Sequence, residues 1–196
     1  LRRSRGLGDV YKRQGWTGEL GYELYTLGEQ TDCPRLWDHL MRKGEPYGMV
    51  FSSMQAMNVR RIEAGIFDSG SDCDSSMTPF ESGLENFIDL GKKGFMGRDA
   101  LMVANSGVRL CGLRCNRSTP HASDLVLSDN APVGKVTTGA FSPYLDCGIG
   151  YVRFDKPSDW SGKILTLQSH KFGEVSCTIV DLPFYDQEKL LPRDLK

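Results

Sequence analysis

Hydrophobic and polar positions change rhythm twice along this chain of 196 residues. Residues 1–14, LRRSRGLGDVYKRQ, carry Arg2, Arg3, Arg5, Lys12 and Arg13 against the single acid Asp9 and follow neither the helical nor the strand period. They read as a leader outside the folded part, disordered or an artefact of cloning or assembly, which stops abruptly against Gly15. Alternation over residues 20–27, LGYELYTL, predicts a strand leaving the glycine-rich stretch before it. Asp32 is placed to cap a helix with Pro34 in its first turn, where a missing N–H costs little. The run RLWDHLMRKG puts Leu36, Trp37, Leu40 and Met41 on one side, a face for the core, and stops at Gly44. A second helix is predicted over MQAMNVRRIEA, opened by Ser52 with Gln55 in a capping-box spacing and ended by Gly65. Arg60 and Arg61 suit the dipole at its C-terminal end without any ligand.

The pattern then loosens. DSGSDCDSSMTP is a long polar loop, and FMGRDALMVANSG reads as a loop, a short helix and a glycine stop. From Val108 short segments rich in Val, Ile, Thr and aromatics recur between turn residues: RLCGLRC, DLVLSD, VGKVTTGAF, DCGIGYVRF, KILTLQS and EVSCTIVDLPF. They predict an all-β region over 108–184, a small barrel or curled sheet, with a hairpin turn at Asp129–Asn130 and a bend at Ser142–Pro143. A junction near Asn105–Gly107 divides it from residues 15–107, and 185–196 reads as a loose charged tail.

Composition narrows the function classes. The chain is 39% hydrophobic and 25% charged with a formal net charge of -1, so nothing favours nucleic acid or an anionic membrane surface. No apolar run reaches the ~20 residues that span a bilayer. Of the six cysteines only Cys111 and Cys115 are close, and C-x3-C without a second pair is a poor zinc signal. The cysteines read as reduced core residues of a cytoplasmic protein. Asp68, Asp72 and Asp74 invite a calcium reading, but the twelfth position counted from Asp68 is Pro79 and from Asp72 is Gly83, so no metal site is assigned. His39, His121 and His170 are scattered and carry no catalytic assignment.

Six motifs in order, GWTGELGYELY, RRIEAGI, MTPFESGLENFIDL, GFMGRDAL, VGKVTTGAFSP and DLPF, resemble those of the glycine cleavage T-protein (aminomethyltransferase) family from Gly15 to Phe184. The resemblance implies an α+β fold: the C-terminal part of the T-protein folate-binding fold, followed by a small antiparallel β-barrel. It implies tetrahydrofolate as cofactor and a small-molecule one-carbon donor or a lipoyl carrier protein as partner. By the same resemblance Glu19 meets the pterin ring. A carboxylate accepting two N–H donors on one edge makes a charge-assisted bidentate contact. Trp16, standing where the family has tyrosine, supplies an aromatic wall. Gly18, with Gly21, lets the chain come near, and Arg61 is a further candidate for the cofactor site.

Two departures shape the functional expectation. The family's Arg-Asp, four residues before the arginine of R-L-E-A-G, is Met57–Asn58 here. That counts against glycine-cleavage activity in the strict sense. It points toward relatives such as dimethylsulfoniopropionate demethylase, which lack the arginine and share RIE, PFE, the SP bend and the DLPF ending. The second departure concerns catalysis. The family's catalytic aspartate lies well upstream of the G-x-T-G-E stretch, and nothing before Gly15 resembles that region. The chain is therefore expected to be the C-terminal part of its enzyme, with no catalytic residue of its own, inactive in isolation and weak for folate. A non-catalytic folate-binding protein is disfavoured because KKGFMGRDA has no cysteine where those relatives have K-G-C-Y. A C-terminal module of a larger flavin-dependent demethylating dehydrogenase stays open.

Overall fold

The computed structural model describes residues 15–190 apart from Leu20, Leu27, Arg117 and Lys189, so the expected leader, 1–14, and the last six residues lie outside the described residues. Three α-helices occur among the described residues: α1 (Cys33–Gly44), α2 (Met54–Glu63) and the short α3 (Arg98–Met102). Six strands follow: β1 (Leu110–Cys115), β2 (Leu125–Ser128), β3 (Ala131–Ser142), β4 (Cys147–Phe154), β5 (Ile164–Ser169) and β6 (Gly173–Val180). They close into an antiparallel barrel in the order β1-β4-β3-β2-β5-β6. Closure leaves no open sheet edge. Each strand overlaps one of the six segments expected from turn spacing, with β3 extending past both ends of its segment and β6 starting one residue before its own. Asp129 and Asn130 have φ of 50° and 65°, the left-handed pair that a two-residue hairpin requires, and they join β2 to β3.

Alternation fills the barrel. Leu113, Cys115, Val126, Val136, Val152, Phe154, Leu165, Leu167, Cys177 and Ile179 form its interior. Trp160 stacks on Phe154 with ring centroids 4.2 Å apart. β4 is buried on both faces, because α2 covers its outer side. There Ile62 of α2 meets Leu110, Cys147, Ile149, Tyr151 and Phe184 in a second core. This second core crosses the expected junction at Asn105–Gly107. The Tyr151 hydroxyl donates to Ile62 O at 2.9 Å, with the carbonyls of Arg61 and Ile66 at 3.1 and 3.2 Å. It thereby satisfies the carbonyl end of α2, and burial holds its phenol well above the usual range.

Two motifs turn out to be docking devices. In T-P-F-E, Glu81 Oε2 accepts from Thr78 N at 2.9 Å while Thr78 Oγ1 accepts from Glu81 N at 3.1 Å, a reciprocal capping box. The Glu81 carbonyl accepts from Arg109 N and Leu110 N at 2.8 and 3.1 Å, tying the turn to the start of β1. The polar loop is anchored by Asp72, which is fully buried. Its Oδ2 accepts from Arg61 Nη1 at 2.7 Å and from Asp68 N at 2.8 Å, and its Oδ1 from Thr137 Oγ1 at 2.8 Å. Among the described residues no cluster of His, Cys, Asp and Glu is placed to hold a metal ion.

Several local expectations are corrected. Residues 21–26 are not a strand, and Tyr22, Leu24 and Tyr25 are exposed. A strand needs a ladder partner, and none of the described residues pairs with this stretch. Glu23 and Tyr25 meet through a hydroxyl–carboxylate bond. α1 forms where expected, with Asp32 Oδ1 accepting from Arg35 N at 3.0 Å, but none of its residues is buried. Trp37 packs edge-on to Phe51 at 5.6 Å and stays half exposed. The cap of α2 is Ser53, not Ser52: its backbone is extended and its Oγ accepts from Ala56 N at 3.2 Å. The six cysteines are unpaired; Cys115, Cys147 and Cys177 are core residues, but Cys33 is exposed.

Asp72→Ala leaves the Arg61 guanidinium uncompensated in the interior and is expected to cost about 3–5 kcal/mol in urea unfolding. Glu81→Ala removes the capping box and is expected to cost about 1 kcal/mol at neutral pH. The Thr78 backbone N–H and the Arg109 guanidinium hold the Glu81 carboxyl below the usual glutamate range. A folded value below the unfolded one contributes stability that is present above ~4.3 and lost as pH falls through the folded value. The gap between wild type and Glu81→Ala should therefore narrow in acid, measured as unfolding midpoints from pH 7 down to pH 3.

Candidate functional site

Glu19 ends a tight loop over residues 15–19. Gly18 takes φ of 73°, and a Cβ there would lie 2.5 Å from the Ala64 Cβ at the end of α2. Its missing side chain thus lets the loop sit directly on the helix terminus. That is a close protein–protein approach, whereas a Cβ at Gly21 would meet nothing within 4 Å. Gly65, at φ of 73°, stops α2 with Pro183 packed against it. The loop, the helix end and the segment after β6 converge here.

The convergence assembles a charged cluster. Arg60 donates from Nη2 to Glu19 Oε1 and from Nη1 to Glu63 Oε2. Glu63 is 1% exposed, and its other oxygen accepts from Ser142 Oγ at 2.6 Å. Arg60 Nη2 also reaches the Tyr185 hydroxyl at 2.7 Å, and that hydroxyl donates to Glu19 Oε1 at 3.1 Å. The rings of Tyr144 and Tyr185 lie 4.9 Å apart, with the Arg60 guanidinium over them at 5.9 and 5.4 Å. Burial pushes the Tyr185 phenol up to about 12, the hydrogen bond to Glu19 adds to this, and Arg60 works against it. At neutral pH Tyr185 is therefore a neutral donor.

Two carboxylates thus share one guanidinium, leaving the cluster anionic. Glu63 is sealed inside, whereas the Glu19 side chain is 40% exposed. Among the described residues, both hydrogen bonds to the Glu19 carboxylate fall on Oε1. Oε2 takes no hydrogen bond from the described residues and is left as an acceptor.

The residues singled out from sequence separate here. Glu19 and Trp16 belong to the same loop, Trp16 with the Arg61 guanidinium 5.5 Å from its ring. Arg61 itself turns inward and is 4% exposed. Its Nε donates to Asn58 Oδ1 at 2.7 Å, Nη1 to Asp72 and to Ile66 O at 3.2 Å, and Nη2 to Thr138 Oγ1 at 3.1 Å. The cation that meets Glu19 is Arg60. Sequence reasoning passed over Arg60, Glu63, Ser142, Tyr144 and Tyr185. The i,i+3 spacing of Arg60 and Glu63 was a readable signal. Tyr185 was assigned to a loose tail, yet it is half-buried in the cluster.

Comparison with known proteins bears on the same regions. The family described as the GCVT N-terminal domain matches residues 6–92, and the glycine cleavage T-protein C-terminal barrel domain matches residues 109–186. An aminomethyltransferase from Caldanaerobacter subterraneus subsp. tengcongensis is 32% identical over 185 residues, 92% of this chain and 48% of the relative. One from Frankia alni is 38% identical over 149 residues, 74% of this chain and 40% of the relative. The crystal structure of glycine cleavage system aminomethyltransferase T from Bartonella henselae shares the fold at a TM-score of 0.73 and 23% identity, over 89% of this chain and 49% of that one. The chain spans about half the length of the curated relatives it matches. Through both matched regions, the chain belongs to the glycine cleavage T-protein (aminomethyltransferase) family.

Proposed function

We propose that the chain is the C-terminal part of a tetrahydrofolate-dependent one-carbon transferase of the cytoplasm. The observation that carries the reading is the half-exposed Glu19 carboxylate, held on one oxygen by Arg60 and Tyr185 and given no hydrogen bond by the described residues on the other. Tetrahydrofolate, when bound, supplies the nitrogen that takes the one-carbon unit. The residues of this chain bind and orient: Glu19 accepts N–H donors of the pterin edge, and Trp16 forms a wall beside it. Gly18 contributes by seating the loop on α2, and Arg61 by holding that helix against the barrel. Catalysis of this kind rests mainly on bringing donor carbon and acceptor nitrogen together. The groups acting at the reacting atoms come from sequence outside these 196 residues, in keeping with relatives about twice as long.

The donor divides two readings. Membership of the aminomethyltransferase family favours an aminomethyl group on a lipoyl carrier protein. Met57, where the family carries arginine, favours a demethylase acting on a small donor of the dimethylsulfoniopropionate kind. Turnover of the full-length protein with each donor separates them.

Glu19→Ala in the full-length protein is expected to weaken tetrahydrofolate by about ten- to a hundredfold, the loss of a charge-assisted contact. Isothermal titration measures it, and unchanged affinity would remove Glu19 from the site.

A further inference from the structure

Arg60 is built into the site more firmly than a helix-end cation needs to be. A lysine or arginine that merely complements the dipole is satisfied by solvent and the last carbonyls. Arg60 instead spans three elements. One nitrogen is fixed on Glu63, which is itself fixed by Ser142 at the end of β3, and Ser142 Oγ accepts from Leu145 N at 3.0 Å. The other nitrogen carries Glu19, a residue on a loop 41 positions away. The path therefore runs from barrel to helix to loop through hydrogen bonds on named atoms.

We propose that Arg60 is the positioning residue of the folate-contacting carboxylate, holding Glu19 by Oε1 so that Oε2 is presented to the ligand. The inference rests on the reading of Glu19 given above. The chemistry explains the residue type. A forked guanidinium can donate to two carboxylates on separate nitrogens, whereas a lysine ammonium is a point charge without that fixed geometry. A free glutamate side chain at the surface samples several rotamers, and a ligand must order it on binding. Arg60 does that ordering before the ligand arrives. Tyr185 assists by taking the second lone pair of Oε1, so that an incoming N–H donor meets Oε2 first. Met57 lies one turn before Arg60 on the same helix face, so that face keeps one cation despite the family arginine's absence.

The test is tetrahydrofolate titration of the full-length protein carrying Arg60→Lys, Arg60→Met, Glu19→Ala and the double change Arg60→Met/Glu19→Ala, with a thermal melt of each. Arg60→Met leaves Glu63 without its cation and should lower the melting temperature. Arg60→Lys keeps a positive charge beside Glu63 and should remain folded if Arg60→Met does not. Both are expected to weaken tetrahydrofolate about tenfold. In the Glu19→Ala background, Arg60→Met should weaken it no further, because the two residues act through one contact. Wild-type affinity in both Arg60 variants, with Glu19→Ala weakened, overturns this inference and leaves the folate reading standing. Additive losses in the double variant also overturn it, since Arg60 would then act independently of Glu19. Unchanged affinity on Glu19→Ala alone overturns the folate reading and this inference with it.

Discussion

The C-terminal turn of α2 carries three charged or polar commitments that water cannot reach, and the rest of the structure is arranged to meet them. Arg61 is answered by Asp72, Asn58 and Thr138; Glu63 by Arg60 and Ser142; the last carbonyls by Tyr151. A buried charge without a partner costs several kcal/mol, so each of these pairings is obligatory once the helix is seated. They draw in the polar loop through Asp72, β3 through Thr137, Thr138 and Ser142, and β4 through Tyr151. Removing the helix end would leave β4 with an apolar outer face and no cover.

The family motifs take on physical meaning in this frame. T-P-F-E closes a turn on itself and then holds the first backbone N–H groups of β1. D-L-P-F brings Phe184 against Tyr151, rings 6.2 Å apart, and its backbone N–H to the Glu63 carbonyl at 3.2 Å. Arg114 fixes the same segment by donating to the Phe184 carbonyl at 2.5 Å. Tyr185 follows immediately, so the motif delivers that hydroxyl to Glu19. In these two motifs the residues act as assembly devices.

The electrostatics of the rim follow from the same assembly. Glu63 is buried and needs a cation; Arg60 supplies it and has a second nitrogen left over. Glu19, brought in by Gly18 packing on Ala64, takes that nitrogen. Its remaining oxygen takes no hydrogen bond from the described residues. Tyr185, neutral because burial raises its phenol, can donate to a carboxylate without adding charge.

Much of this architecture was legible in contiguous residues. Six strands, the Asp129–Asn130 hairpin, the Asp32 cap and the Gly65 stop are written in turn residues, alternation and caps, which act over a few positions. The same local signals misread residues 21–26, because alternation states a capacity to pair and supplies no partner. They misplaced Arg61 at the site and Tyr185 in a loose tail for a related reason. Arg60 and Arg61 are neighbours of one type, and only the direction of each side chain around α2 separates a buried anchor from a rim cation. The contacts that decide it join Arg60 to Glu19 and Tyr185 at separations of 41 and 125 residues, and Arg61 to Thr138 at 77. Short-range pattern determined the elements and their order. Which charges meet was decided by closing the barrel and docking α2 against it, since desolvation acts only on groups that tertiary packing has already removed from water.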